Sequence, residues 1–141
     1  MTARYLFDTL IVAALLHRRP PAIALASPWI AAGQASTSIL CYGEVEEYIQ
    51  GRPDYQDLHQ ALQELLDGVR PYFLTYGVME RYARLRRAMR RQGPGLIGDV
   101  DSLIAATALE YDLTLVTTDT DFRRVPGLVV HLIHRPNLHS R

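Results

Sequence analysis

The chain has 141 residues, 48% of them hydrophobic, and its fifteen basic residues, all arginine, balance fifteen acidic ones to give no net charge. This length supports one core, no Pro/Gly/Ser-rich stretch divides it, and a whole-molecule basic field for nucleic acid is excluded. Any polyanion must therefore meet local arginine patches, while the single Cys41 excludes an intrachain disulfide and a cysteine-built metal site.

The first apolar run is short, contains Asp8 and ends in His17-Arg18-Arg19, which is not the pattern of a secretory leader. No segment approaches the roughly 20 apolar residues that cross a bilayer. A soluble cytoplasmic protein is expected. Tyr5 to Phe7 reads as a strand, and Asp8-Thr9 opens a helix with Ile11, Ala14 and Leu15 on one face. Pro20-Pro21 starts a second helix, reaching about Ala32 and broken or bent near Pro28. A strand over Ala35 to Ile39 leads into a helix to Gln50 that Gly51 terminates, and a further helix covers Tyr55 to Leu66.

Pro71 to Leu74 reads as a third strand and Tyr76 to Arg91 as a long amphipathic helix, stopped by Gly93-Pro94-Gly95. There follow a helix from about Asp99 to Tyr111, a strand at Thr114 to Thr117, a turn around Phe122 and a last strand at Leu128 to Leu132. Strands separated by helices imply parallel pairing, hence an α/β three-layer sandwich around a central, mostly parallel sheet. The domain is expected over residues 1–133, with 134–141 as a frayed tail.

Acids follow or precede the apolar runs at four places: Asp8, Glu44, Asp99 with Asp101, and Asp119 with Asp121. Ligands of open parallel sheets bind beyond the carboxyl ends of strands, where Asp8 and Asp119 stand. Glu44 lies at the edge of its helix's apolar arc, and by itself reads as a surface acid. Asp99 takes the capping position after Gly98, which leaves Asp101 without that explanation. Asp119 and Asp121 also suit a turn. Two charges about 4 Å apart repel by roughly 4 kcal/mol at an effective dielectric near 20, so acids gathered from distant segments call for a divalent cation. Oxygen ligands favour magnesium or manganese over zinc.

Four stretches in this order carry a family resemblance: Tyr5-Leu6-Phe7-Asp8-Thr9, Thr37 to Val45, Ile97 to Leu109, and Leu115 to Phe122 with Val125-Pro126-Gly127-Leu128 behind it. Together they resemble a PIN-domain ribonuclease, most closely the VapC-type toxins of toxin-antitoxin systems. The resemblance implies a magnesium- or manganese-dependent endoribonuclease, with Asp8 and Asp101 as principal metal ligands, Glu44 and Asp119 completing the catalytic acids, and Asp121 sharing the fourth position. Thr9, Asp99 and Thr118 are candidates to orient ligands or water. Leu10 stands where the family commonly has Asn or Ser, and Cys41 where it often has Thr.

Arg86, Arg87, Arg90 and Arg91 spread over the helix face away from Val78, Tyr82 and Leu85, so they are candidates to contact RNA or a partner; the bland alternative is a solvated face. The resemblance implies a cognate antitoxin and a homodimer. Other catalysis fits poorly: His131 and His134 cannot share a strand face, Cys41 reads as a small core residue, and there is no Walker loop. The alternatives are a PIN nuclease acting in RNA processing or on structured DNA without an antitoxin, and a catalytically silent PIN scaffold.

Overall fold

The computed structural model describes residues 2–93 and 95–138. Strands β1 (Tyr5–Phe7), β2 (Ala35–Ser38), β3 (Arg70–Tyr72), β4 (Thr114–Thr117) and β5 (Val130–Leu132) form one sheet in the order β3-β2-β1-β4-β5, parallel throughout. Helices α1 (Thr9–Leu16), α2 (Pro20–Ala31), α3 (Ile39–Gln50), α4 (Tyr55–Gly68), α5 (Tyr76–Arg90) and α6 (Asp99–Glu110) make the crossovers. Among the described residues no helix is long and apolar enough to cross a membrane.

Strand alternation divides the core between the two faces of the sheet. Phe7 and Val116 pack with Ile11, Ala22, Val45 and Leu62 on one side, while Leu6 and Leu115 pack with Cys41, Leu85, Ile104 and Phe122 on the other. Tyr5 stacks on Trp29 with centroids 3.9 Å apart, and His131 meets the Trp29 ring edge-on. This gives the three-layer sandwich that the alternating pattern implied.

The central position of β1 fixes the site. Phe7 lies in register with Thr37 on one side and Val116 on the other; the chain runs outward from β1 through β2 and β3, then crosses back to build β4 and β5 on the opposite side of β1. A crevice opens at such a reversal, beyond the strand ends. Buried hydroxyls of β2 tie it to β1: Ser36 donates to the Tyr5 carbonyl and Thr37 to the Phe7 carbonyl, each at 2.7 Å. Ser38 then caps α3 by accepting from the Leu40 N–H at 3.0 Å.

Several boundaries differ from the sequence reading. α2 continues through Pro28 as a single helix, the proline removing one backbone bond, that to the Ala24 carbonyl, without ending it. α3 does end at Gly51, with that residue in right-handed conformation at φ −82°. The third strand begins at Arg70 and stops at Tyr72, leaving Phe73 and Leu74 exposed, and the last strand begins only at Val130. Past residue 133, Arg135–Leu138 forms a 3-10 turn and Leu138, 2% exposed, packs in the core cluster that includes α2 residues. A single apolar residue such as Leu138, after a run of polar ones, carries no periodicity in the sequence. Residues 139–141 lie outside the described part.

Candidate metal centre

Asp8 leaves the end of β1 and caps α1. Its Oδ1 accepts from the Thr9 N–H at 2.8 Å, and its Oδ2 accepts from the Thr117 hydroxyl at 2.6 Å. The thiol of Cys41, fully buried in α3, reaches Oδ1 at 3.9 Å. Burial pushes the Asp8 carboxyl above its ordinary pKa, against the two strong hydrogen bonds, and the charges of Glu44 and Asp119 push it further. The Cys41 thiol is held up at about 12 by burial and then by Asp8, so it is a neutral core group.

Asp101 is the most exceptional of these acids. It stands in the first turn of α6, half-buried, and among the described residues its carboxylate accepts no hydrogen bond and pairs with no cation. Burial pushes its pKa up to about 6, helped in turn by the charges of Asp8, Asp119, Glu44 and Asp121. Those four neighbours come from β1, the β4 exit and α3, so the fold does bring the sequence-predicted acids into one another's field.

They do not form a ready-made cage. Among the described residues no three acids, histidines or cysteines lie close enough to enclose a cation. Two of the acids are held by local donors. Glu44 accepts from the Thr9 hydroxyl at 2.5 Å, and Asp119 Oδ1 accepts from the Asp121 N–H at 2.9 Å, capping the 3-10 turn Thr120–Arg124. Asp121 points outward, 58% exposed, toward Arg124 Nη1 at 3.6 Å. The donor set is nonetheless all oxygen and carries an uncompensated acid at its centre, which fits a hard divalent cation better than zinc.

Two expected roles fall elsewhere. Asp99 does not cap α6, whose N-cap is Gly98 without a side-chain bond; Asp99 is 77% exposed and pairs with Arg86 Nη1 at 2.9 Å. Helix entry one residue earlier places Asp99 inside the first turn, where its side chain reaches α5 rather than the backbone. Arg86 is correspondingly not free for a polyanion: it is 17% exposed and lies over the Tyr82 ring at 5.4 Å. Arg87, Arg90 and Arg91 are exposed.

Thr9 does orient an acid. For Thr118 no hydrogen bond of the hydroxyl is found among the described residues; the hydroxyl that acts is Thr117, which donates to Asp8 and accepts from the Asp119 N–H at 3.1 Å. Sequence offered only two adjacent threonines, and the sheet register decides which one faces Asp8. Arg124 was also missed: its Nη2 donates to the carbonyls of Gly95 at 2.7 Å and Leu96 at 3.2 Å, fastening the loop that delivers Asp101.

The family model for the PIN domain matches residues 5–128, and the chain belongs to the PIN-domain family. VapBC2 from Rickettsia felis, solved bound to a promoter DNA fragment, superposes with a TM-score of 0.80 at 21% identity, covering 94% of this chain and 99% of that one. VapBC-1 from nontypeable Haemophilus influenzae gives 0.78 at 25% identity over 94% and 98%. FitAcB from Neisseria gonorrhoeae gives 0.75 at 24% over 89% and 95%. No curated protein matches the sequence.

Proposed function

We propose that this chain is the nuclease of a type II toxin-antitoxin pair, an endoribonuclease that hydrolyses RNA phosphodiester bonds with magnesium or manganese. The observation that carries this reading is Asp101, a half-buried carboxylate without a partner among the described residues, its pKa raised to about 6 by burial and the surrounding acids. Such a group costs folding free energy that a bound cation would offset, and acids of this kind cluster at functional sites. Asp8 and Asp101 would hold the cation, with Glu44 and Asp119 beside them and Asp121 at the rim. A divalent cation bound there supplies a water of lowered pKa for in-line attack and offsets charge on the departing oxygen.

The chain's own groups prepare that site. The hydrogen bonds from Thr117 and the Thr9 N–H favour the ionised form of Asp8 against its burial, and the Thr9 hydroxyl fixes Glu44. Exposed Arg87, Arg90 and Arg91 on α5, next to α6, offer guanidinium groups to a polyanion or an acidic partner. The toxin-antitoxin complexes of this fold support a cognate antitoxin as that partner. A homodimer has a candidate surface in exposed Phe73, Leu74, Tyr76 and Met79. The cytoplasm, where RNA and antitoxin meet, is the proposed location.

Sequencing of RNA 5′ ends after induced expression tests the reading. Discrete new ends with the natural chain and none with Asp101→Asn are expected; identical end profiles for the two would overturn it.

A further inference from the structure

A groove of about 450 Å³ runs between α1 and α3, beginning at Thr9 and Glu44 of the acidic cluster. Leu10, Ala13 and Val45 form its floor. α1 is 8 residues long, about 12 Å of helix axis, so the far end at its cap residue His17 stands well away from the acids.

The chemistry of that far end is the reverse of the near one. The Arg19 guanidinium makes no ion pair or hydrogen bond among the described residues, and Arg52 pairs through Nε with Asp54, at 3.0 Å. Tyr48 is 49% exposed, and its hydroxyl is held by His17 Nε2 and by Arg52 Nη1, each at 3.2 Å. The Arg52 guanidinium lies 5.7 Å from the Tyr48 ring centre and the His17 imidazole meets the ring edge-on. Burial, then the charges of Arg52 and Arg19, lower the His17 pKa, a sign that the positive field here outweighs Asp54. A half-exposed tyrosine ring, fixed through its hydroxyl, with one guanidinium over it and a second on the same groove, is the composition of a single-strand nucleic-acid platform.

We propose that this groove is the track of the single-stranded RNA flank beside the scissile phosphate, with Tyr48 as the stacking surface for a base and Arg19 and Arg52 as phosphate contacts. The inference rests on the nuclease reading and adds to it the path of the substrate. Charge complementarity selects this occupant. The strand would pass from carboxylates neutralised by a cation to arginines that face solvent, over a floor apolar enough to take sugars and base edges. In this role Leu10 serves the groove rather than the metal.

The test uses the full chain and a fluorescein-labelled single-stranded RNA oligonucleotide of mixed sequence. Cleavage by the natural chain in magnesium is read on gels, and affinity is read by anisotropy with Asp101→Asn as the background. Tyr48→Ala is expected to weaken binding about tenfold with the salt dependence unchanged, and Tyr48→Phe to bind far better than Tyr48→Ala. Arg19→Gln with Arg52→Gln is expected to reduce the slope of log affinity against log salt by about 1.4, roughly 0.7 per lost phosphate contact. The arginine arm and Tyr48→Phe keep the proposal falsifiable where Tyr48→Ala fails to fold. Unchanged affinity and slope in all variants of a protein that cleaves RNA would overturn the track and leave the nuclease reading standing. Loss of a co-expressed partner protein with RNA binding unchanged would also overturn it, assigning the groove to protein. If the natural chain neither cleaves nor binds the RNA, the nuclease reading falls and the track with it.

Discussion

Thr117 and Asp8 stand 109 residues apart, yet the Thr117 hydroxyl donates to Asp8 Oδ2 at 2.6 Å. Parallel pairing of β1 with β4 produces this contact: Phe7 lies opposite Val116, the Asp8 N–H donates to the Val116 carbonyl at 3.0 Å, and the next side chain on β4 then reaches the carboxylate. Because the same oxygen accepts from the Asp119 N–H, one hydroxyl links the Asp8 carboxylate to the backbone that carries Asp119. Thr117→Val should therefore lower magnesium affinity by roughly tenfold, while Thr117→Ser retains it. Calorimetric titration of the two variants decides between a positioning role and simple strand packing, since valine fits the strand better than serine does.

The Asp101 carboxyl gives stability a distinctive pH dependence. Its pKa in the folded chain, about 6, exceeds the ordinary 3.8, so between those two values folding takes up a proton. The group's contribution to stability consequently falls as pH rises through that window, and its penalty is complete above it. The full shift corresponds to roughly 3 kcal/mol, but screening of a half-exposed group reduces this to about 1 kcal/mol. In metal-free buffer at neutral pH, Asp101→Asn should melt higher than the natural chain. Excess magnesium should raise the melting temperature of the natural chain and leave the variant nearly unmoved. Calorimetric scans across pH with and without magnesium provide the check.

Asp119 and Asp121 should contribute unequally. Asp119 bears on both Asp8 and Asp101, whereas Asp121 bears only on Asp101, as its weakest influence, and is turned toward Arg124. Asp119→Asn keeps the cap on the 3-10 turn but removes the charge, and should lower magnesium affinity about tenfold. Asp121→Asn should cost about threefold or less, since an exposed charge at the rim is screened. Equal losses in titration would show that the turn rearranges to bring both acids to the cation.

The arginines of α5 should separate into two kinds. Arg86→Gln removes the pair to Asp99 and the packing on Tyr82, and should destabilise the fold by about 1 kcal/mol. Replacing Arg87, Arg90 and Arg91 together should change stability by only about 0.5 kcal/mol while weakening binding of RNA or antitoxin at low salt. Denaturant titration beside a binding assay resolves the two effects.

Strand and helix order was legible because apolar runs, prolines and glycines punctuate the chain, and Asp8 and Asp119 could be placed at strand ends from that order alone. What was not legible depended on register or on single contacts. Thr117 rather than Thr118 faces Asp8 because β4 pairs at Phe7 with Val116. Asp99 meets Arg86 because α5 packs on α6, a tertiary relation that no capping rule contains. Leu138 is buried by a short 3-10 turn with no periodic signature. The contacts of Glu44 with Thr9, of Asp119 with the 3-10 turn and of Asp121 with Arg124 are likewise invisible in spacing.

The central claim is that Asp8 and Asp101, with Glu44 and Asp119, form a divalent-cation site for RNA hydrolysis. Its most direct test is cleavage of an end-labelled single-stranded RNA by the purified, metal-stripped chain. The account predicts no cleavage without metal, recovery on adding magnesium or manganese, and loss of that recovery in both Asp8→Asn and Asp101→Asn while both remain folded. Cleavage that is independent of metal, or undiminished in both variants, would contradict it.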